Sequence, residues 1–322
     1  MSAPELSLIL VTDRFARIRA TVRHLRAQEN HERLEVVIVT ATEEELALEA
    51  REAEGLAGVH VVALGALRGY GHGIAQGVRA ATAPIVALGE THSFPQPGWA
   101  TALIARHSDG CAAVGPVVEG ANPVGGPIAR SNLLLDYGPW LRGVAGGAVD
   151  ALPGHNSSYK RDLLVGYGDE LELHMEGEFL LHQSLRDRGE QLCLEPAAVT
   201  RHLQVNTLRM WPRERFAAGR AFSRLRARGW SRRRRALYVA AGPLIVPVRL
   251  RRILAGSRAA GTGGESPATL AALVAGLVVQ TAGEMAGLVA ASDKGRALLW
   301  EIELKRIDYA SEGDRAELLG SG

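Results

Sequence analysis

Between Ser7 and Trp99, short apolar runs of strand length alternate with stretches that carry apolar residues at helical spacing. Ser7 to Val11 is a β-branched and leucine run, and Arg14 to Gln28 places Phe15, Ile18, Val22 and Leu25 on one helical face. Leu34 to Val39 reads as a second strand, the acid-rich Glu43 to Glu54 as an exposed helix, and Val59 to Leu64 as a third strand. Parallel neighbours need a crossover of helix length, so this alternation predicts an α/β fold with a doubly wound, mostly parallel sheet.

The stretch from Ala83 to Trp99 organises the rest. Ala83 to Leu88 is an apolar run that ends abruptly in Glu90-Thr91-His92, and Pro95, Pro97 and Gly98 forbid a continuing strand. Open α/β sheets bind ligands at the carboxyl ends of their strands. Glu90 and His92, two apart, can share one divalent ion if the chain stays extended through Glu90 and bends after His92. The plainer reading is a strand end followed by a polar turn.

With 322 residues, 47% hydrophobic and 22% charged, the chain can bury one large domain and an appendage. Two cysteines, Cys111 and Cys193, make no disulfide or zinc pattern, which predicts a reducing compartment. The opening residues lack a basic flank and a long apolar run, so no signal peptide is expected and the catalytic part is expected in the cytoplasm. The net charge of +2 hides an asymmetry: Arg201 to Arg258 holds sixteen arginines and one acid, Glu214. Beside apolar helices, and with no nucleic-acid motif, that segment points to an anionic membrane surface, the plainer alternative being a solvated arginine face.

Four further stretches carry chemistry. Arg68-Gly69-Tyr70-Gly71-His72-Gly73 precedes a helix expected over Ile74 to Ala81, and a glycine-rich turn entering a helix can offer N–H groups to a phosphate. A dinucleotide site would want its glycines after the first strand, where Thr12-Asp13-Arg14-Phe15 supplies none. Trp99 to His107 and Ser131 to Tyr137 read as helices, Ala112 to Val118 as a strand and Gly143 to Asp150 as a loop. Gly154-His155-Asn156-Ser157-Ser158-Tyr159-Lys160-Arg161 is a cradle for phosphate or sugar hydroxyls, or more plainly a capped turn starting a helix at Lys160. Glu176 to Gly189 makes a short helix with Glu178 and His182 one turn apart, His182 being read first as an ordinary exposed residue. Gln191 to Glu195 is the last strand, and His202 follows it.

A strand, the acidic triplet, Phe94-Pro95-Gln96-Pro97-Gly98-Trp99 and then a helix resemble the Asp-x-Asp segment of family 2 glycosyltransferases with the GT-A fold. Gly154 to Arg161 is similar to that family's Gly-x-Asn-x-x-Tyr-Arg segment, and Glu176 to Gly189 to its Glu-Asp-x-Asp-Leu-x-x-Arg-Leu-x-x-x-Gly helix. The resemblance covers Leu6 to about Asn206 and implies a GT-A domain over residues 1–207, ahead of a basic and apolar helical region over 208–322. It implies a nucleotide-diphosphate sugar donor held by Thr12, Thr40, Gly69, Gly71, Glu90, Thr91 and His92. It implies an acceptor or phosphate site at Trp99, Gly154, His155, Asn156, Ser157 and Arg161. A divalent metal, Mn2+ or Mg2+, would be held by Glu90, His92 and His202, and the general base would be Glu178, with Glu176 as its rival. Glu90 and His92 depart from the family's aspartates, which leaves metal dependence open. A turn ending Thr40-Ala41-Thr42-Glu43 leaves the nucleotide base open.

The last third is a different object. Arg209 to Gly229 is a basic helix with Trp211, Phe216, Phe222 and Leu225; Ala236 to Val248 is apolar but broken by Pro243 and Pro247; Gly256 to Ser266 reads as a linker. Ala268 to Ala291 is long enough to span a bilayer yet carries Glu284. Gly276, Gln280, Gly283, Glu284 and Gly287 make a small and polar stripe fit to pack against another helix, a partner subunit's included. The three readings are helices in the membrane interface, a buried hairpin in a soluble protein, and a true span. The expected function is an inverting glycosyltransferase of polysaccharide biosynthesis, acting on a glycan or lipid-linked acceptor at the cytoplasmic membrane face, with no nucleic acid as partner. The alternative is a catalytically inactive glycosyltransferase-like scaffold bound to the membrane.

Overall fold

The computed structural model describes residues 3–290 and 294–320. They form two compact units, one of residues 3–119 and 144–202, the other of 120–143, 203–290 and 294–320. In the first unit β1 (Leu6–Val11), β2 (Leu34–Thr40), β3 (Gly58–Ala63) and β4 (Ile85–Leu88) lie parallel in the order β3-β2-β1-β4. Every residue of β1 and β2 is buried, as an apolar run covered on both faces requires. Five shorter or later strands extend the sheet: β5 (Ser93–Pro95), β6 (Ala113–Gly120), β7 (Gly147–Ala148), β8 (Ser158–Lys160) and β9 (Leu192–His202). Beyond β4 the order is β8-β6-β9-β5, with β8 antiparallel to both β4 and β6, and with β5 and β7 antiparallel to β9. The sheet is therefore mixed, of GT-A type, with its parallel half where the strand-helix alternation was clearest.

The helices of this unit are α1 (Phe15–Arg26), α2 (Glu43–Leu46), α3 (Tyr70–Ala80), α4 (Trp99–Ser108), and, past α5 (Pro127–Tyr137) of the other unit, α6 (Arg161–Val165), α7 (Leu171–Met175) and α8 (Glu178–Asp187). Two expectations fail here for local reasons. The acid-rich helix over Glu43 to Glu54 is broken into one capped α-helical turn and a 3-10 turn over Ala50–Ala53, because Ala47 enters the left-handed region at φ 52° and ends the first. The glycine run is mostly helix. Only Gly69, at φ 156°, is turn, while Cβ atoms added at Gly71 and Gly77 would lie 2.6 Å from the Glu172 carbonyl oxygen and 2.3 Å from Ile9. These two glycines let α3 press onto α7 and β1.

The cysteine reading is also corrected. Cys111, just before β6, and Cys193, in β9, are joined in a disulfide across 82 residues of chain, so both thiols are spent and the argument for a reducing compartment falls.

The second unit is helical: α5, α9 (Trp211–Arg226), α10 (Arg232–Ala240), α11 (Gly242–Ala259), α12 (Pro267–Val289), α13 (Lys294–Lys305) and α14 (Glu312–Gly320). The expected linker over Gly256 to Ser266 is shortened, since α11 continues through Pro247 to Ala259. Ala291, where the apolar run was expected to end, lies outside the described residues. Among those residues α12 is the one helix long and apolar enough to cross a membrane. Its small and polar stripe is used within the chain: Cβ atoms at Gly283 and Gly219 would lie 2.1 Å from the Phe216 oxygen and 2.0 Å from the Gln280 oxygen, so α9 and α12 touch backbone to backbone. Glu284 is fully buried and meets the Arg249 guanidinium of α11, with Nη2 donating to Oε2 over 3.2 Å. A buried carboxylate without that partner would be costly.

Gly283→Ala should destabilise the chain by about 1–3 kcal/mol, the usual cost of overpacking, read as a lower urea midpoint. An unchanged midpoint would mean that the two helices do not need their close approach.

Candidate active site

Glu90 stands at the carboxyl end of β4, the strand held between β1 and β8. Gly89 makes that ending possible: its N–H donates to the Ile9 carbonyl over 2.8 Å, and a Cβ there would lie 2.6 Å from Leu10. Three histidines reach Glu90 from three different segments. His92 immediately precedes β5, His202 closes β9 and is near it because Ser93 pairs with His202, and His155 sits just before β8. Glu90 Oε2 lies 3.3 Å from His92 Nε2, 3.2 Å from His155 Nδ1 and 3.2 Å from His202 Nε2. All three rings are at least 95% buried, and the Glu90 side chain is 13% exposed.

The electrostatics follow from that crowding. Burial pushes the Glu90 carboxyl up, but the His155 and His92 charges and the hydrogen bonds from His155 and His202 outweigh it and hold the group well below the usual carboxylate range. Burial, then the neighbouring His155 and His92, holds His202 well below the usual imidazole range, against the pull of Glu90. A neutral imidazole keeps a lone pair for a metal. Glu90, His155 and His202 present ligand atoms all within 4.8 Å of one another, a set that could hold a divalent ion.

Of the three residues expected as metal ligands, Glu90 and His202 fall in that set, while His92 lies 3.3 Å from Glu90 without grouping with both other histidines. The sequence reading missed that His155 joins them, having put it with the acceptor residues. Its place next to Asn156 was the one signal in the sequence. Asn156 has φ 53°, a left-handed conformation asparagine tolerates, and its amide donates to Ser93 Oγ over 2.9 Å and to Thr200 Oγ1 over 2.5 Å. Trp99 Nε1 donates to the Asn156 carbonyl over 3.2 Å. These contacts fix the His155 ring.

Most of the other residues expected to bind donor or acceptor are committed to contacts within the chain. Asn156, Ser157 and Trp99 are wholly buried, with Ser157 Oγ bonded to the Pro153 carbonyl. Arg161 donates to the Val78 and Arg79 carbonyls at the end of α3. Thr12 follows β1 and Thr40 ends β2, and they spend their hydroxyls on the carbonyls of Arg14, 2.9 Å, and Thr42, 3.4 Å. Thr91 is buried, its hydroxyl 3.1 Å from His92 Nδ1, which turns the other ring nitrogen towards Glu90. Gly69 remains at the start of α3, and Gly71 packs against α7.

The two candidate bases face different neighbours. A Cβ at Gly154 would lie 2.8 Å from Glu178 Cδ, so the Glu178 carboxylate rests on the residue preceding His155. Glu176 lies against Gly71 and Gly69 instead. His182 is not the exposed residue expected: it is buried, its Nε2 2.8 Å from the Tyr159 hydroxyl, and burial with Arg186 lowers it to about 4.

The fold and site define a GT-A glycosyltransferase domain. Residues 8–167 match the glycosyl transferase family 2 model and belong to that family. No curated protein matches the chain. Mannosyltransferase PcManGT from Pyrobaculum calidifontis, in complex with GDP-Man and Mn2+, is similar at 20% identity over 94% of this chain and 88% of that one, with a TM-score of 0.51, a likeness of fold. GalNAc-T7 with UDP, GalNAc and Mn2+ is similar at 16% identity with a TM-score of 0.48; the match covers 62% of this chain and 43%, less than half, of that one.

Two buried histidines away from Glu90 give this unit a pH dependence. His182 falls from 6.5 to about 4, and so does His107, through burial, opposed by its bond to the Cys111 carbonyl and helped by Lys160. A base with a depressed folded-state pKa binds protons better when unfolded. The stability it contributes is full above about pH 6.5 and is lost as the pH falls towards about 4. Unfolding free energy should fall by about 3 kcal/mol per histidine over that window, and His182→Gln should flatten the profile. A flat wild-type profile would contradict this.

Proposed function

We propose that this chain transfers a sugar, with inversion, from a nucleotide diphosphate donor to a glycan or lipid-linked acceptor at a membrane surface. Sugar transfer is the class of the matched family. The observation that carries the reading is the Glu90 carboxylate ringed by His92, His155 and His202 at the carboxyl end of β4, the place where open α/β sheets bind ligands. The mannosyltransferase with the similar fold holds GDP-Man and Mn2+, which supports the same class of donor and a metal here. A bound divalent ion would supply charge neutralisation for the diphosphate as it departs.

The rest of the chemistry belongs to the chain. The acceptor oxygen attacks the anomeric carbon from the face opposite the diphosphate, the bond from that carbon to the diphosphate oxygen breaks, and the acceptor proton passes to a carboxylate. Glu178 is assigned that role because its carboxylate rests against Gly154, next in the chain to His155. The start of α3 at Gly69 offers backbone N–H groups to the donor phosphates.

Membrane association rests on the second unit. Arg232 to Arg235 open α10, Arg234 lies 4.2 Å over Trp230 and Arg226 4.9 Å over Tyr238, and Leu237, Leu244 and Val248 are exposed nearby in sequence. Basic side chains interleaved with aromatic and exposed apolar ones suit an anionic lipid interface. The stripe on α12 is occupied by α9, so a homo-oligomer would use another surface.

Glu178→Gln should lower turnover by about 10²–10⁴ while donor affinity holds; full activity in that variant with loss in Glu176→Gln would move the base to Glu176. Replacing Arg232 to Arg235 with Ala should release the chain from anionic vesicles in a co-sedimentation assay at low salt. If the wild-type chain already stays in the supernatant, the membrane reading is wrong.

A further inference from the structure

The second unit holds a cavity of about 690 Å³ that the proposed transfer chemistry does not use. Its walls come from three places in that unit: Arg209, Met210 and Arg213 at the start of α9, Leu298 and Glu301 of α13, and the chain from Asp308 into α14. Buried polar groups fix those walls. Arg306 donates to Glu214 of α9 over 2.8 Å and also to Glu303 of α13. In α14 the buried Asp314 carboxylate accepts from Asn122 Nδ2 over 3.0 Å, from Asn206 Nδ2 over 2.7 Å and from the Val124 N–H over 2.8 Å. A cavity framed in this way exists before a ligand arrives, as small-molecule sites usually do, and its size falls in their range of about 300–1,000 Å³.

The lining suits neither an anion nor a purely apolar ligand. Three guanidinium groups, of Arg209, Arg213 and Arg315, stand with three carboxylates, of Glu301, Asp308 and Glu312, so a phosphate would meet repulsion as well as attraction. Beneath them the surface is apolar: Met210 and Ala310 are buried, and Leu298 and Tyr309 pack against the cluster of Val205, Met210 and Ile302. The Tyr309 hydroxyl donates to Glu301 over 2.8 Å, which anchors the side chain and leaves its ring for a ligand. Arg209 and Glu312 are exposed and carry no ion pair with the described residues. A neutral molecule with many hydroxyl groups needs donors and acceptors side by side, and guanidinium and carboxylate supply them as charge-assisted bonds. Sugars have that hydroxyl pattern, together with a C–H face that lies against an aromatic ring.

We propose that this cavity binds a neutral oligosaccharide, with the Tyr309 ring as its platform and Arg209, Arg213 and Glu312 as its hydrogen-bonding groups. The site goes beyond the transfer reading, since it holds a glycan without reacting with it and none of its lining residues belongs to the first unit. The full chain, free of metal and nucleotide, is applied to a printed array of neutral and phosphorylated oligosaccharides, and the strongest neutral binder is titrated by calorimetry. Neutral members should be retained, and affinity should fall about tenfold in Tyr309→Ala and also fall in the Arg209→Ala, Glu312→Gln double variant, whose exposed positions keep the test open if Tyr309→Ala does not fold. Retention of no neutral oligosaccharide, unchanged affinity in the folded variants, or preference for the phosphorylated members would overturn the proposal. Failure of the wild type to bind nucleotide sugars while it still binds the oligosaccharide would count against the transfer reading and leave this site standing.

Discussion

A single carboxylate, buried at the end of a central strand and charged there, is the constraint on which the first unit depends. Removing Glu90 from water is costly unless other groups replace the lost hydration. His92, His155 and His202 do so, each from a different segment, and the sheet order brings them together: β5 pairs with β9, and β8 with β4. The short antiparallel strands β5 and β8 bury Phe94 and Tyr159 and also fix the ends from which these side chains project.

Close approach of backbone at glycine is the second theme, and it recurs in both units for different ends. Gly89 lets β4 pass under Leu8 and Leu10, and Gly154 leaves room for the Glu178 carboxylate. In the helical unit Gly219, Gly283 and Gly287 let α9 and α12 meet. A helix that would otherwise look like a membrane span therefore has one face satisfied by its own chain, and its buried Glu284 is satisfied by Arg249.

Much of this was legible from residues. Long buried strands announce themselves as apolar runs, and β1 to β4 and β6 fall within a residue or two of the runs that predicted them. Strands of two or three residues, β5, β7 and β8, have no periodicity to read. The Glu43 to Glu54 helix failed because composition favours helix without saying where Ala47 will leave it. Cys111 and Cys193 are 82 residues apart, so only the pairing of their strands brings them together. In the site, Glu90, His92 and His202 were visible as strand-end residues, whereas His155 was hidden among polar neighbours that prove to be scaffold. Burial separates Asn156 and Ser157, which frame the loop, from His155, which faces Glu90, and burial is a property of the fold rather than of the local sequence.

The central claim is that Glu90 and its histidines hold a nucleoside diphosphate through a divalent ion. Calorimetric titration of the full chain with GDP and UDP, with and without Mn2+, tests it most directly when repeated on the Glu90→Ala, His92→Ala double variant. The account predicts binding of at least one diphosphate that requires Mn2+ in the wild type and vanishes in the variant, whose thermal unfolding stays cooperative. Equal binding with and without the metal, or binding that survives the double substitution, would contradict it.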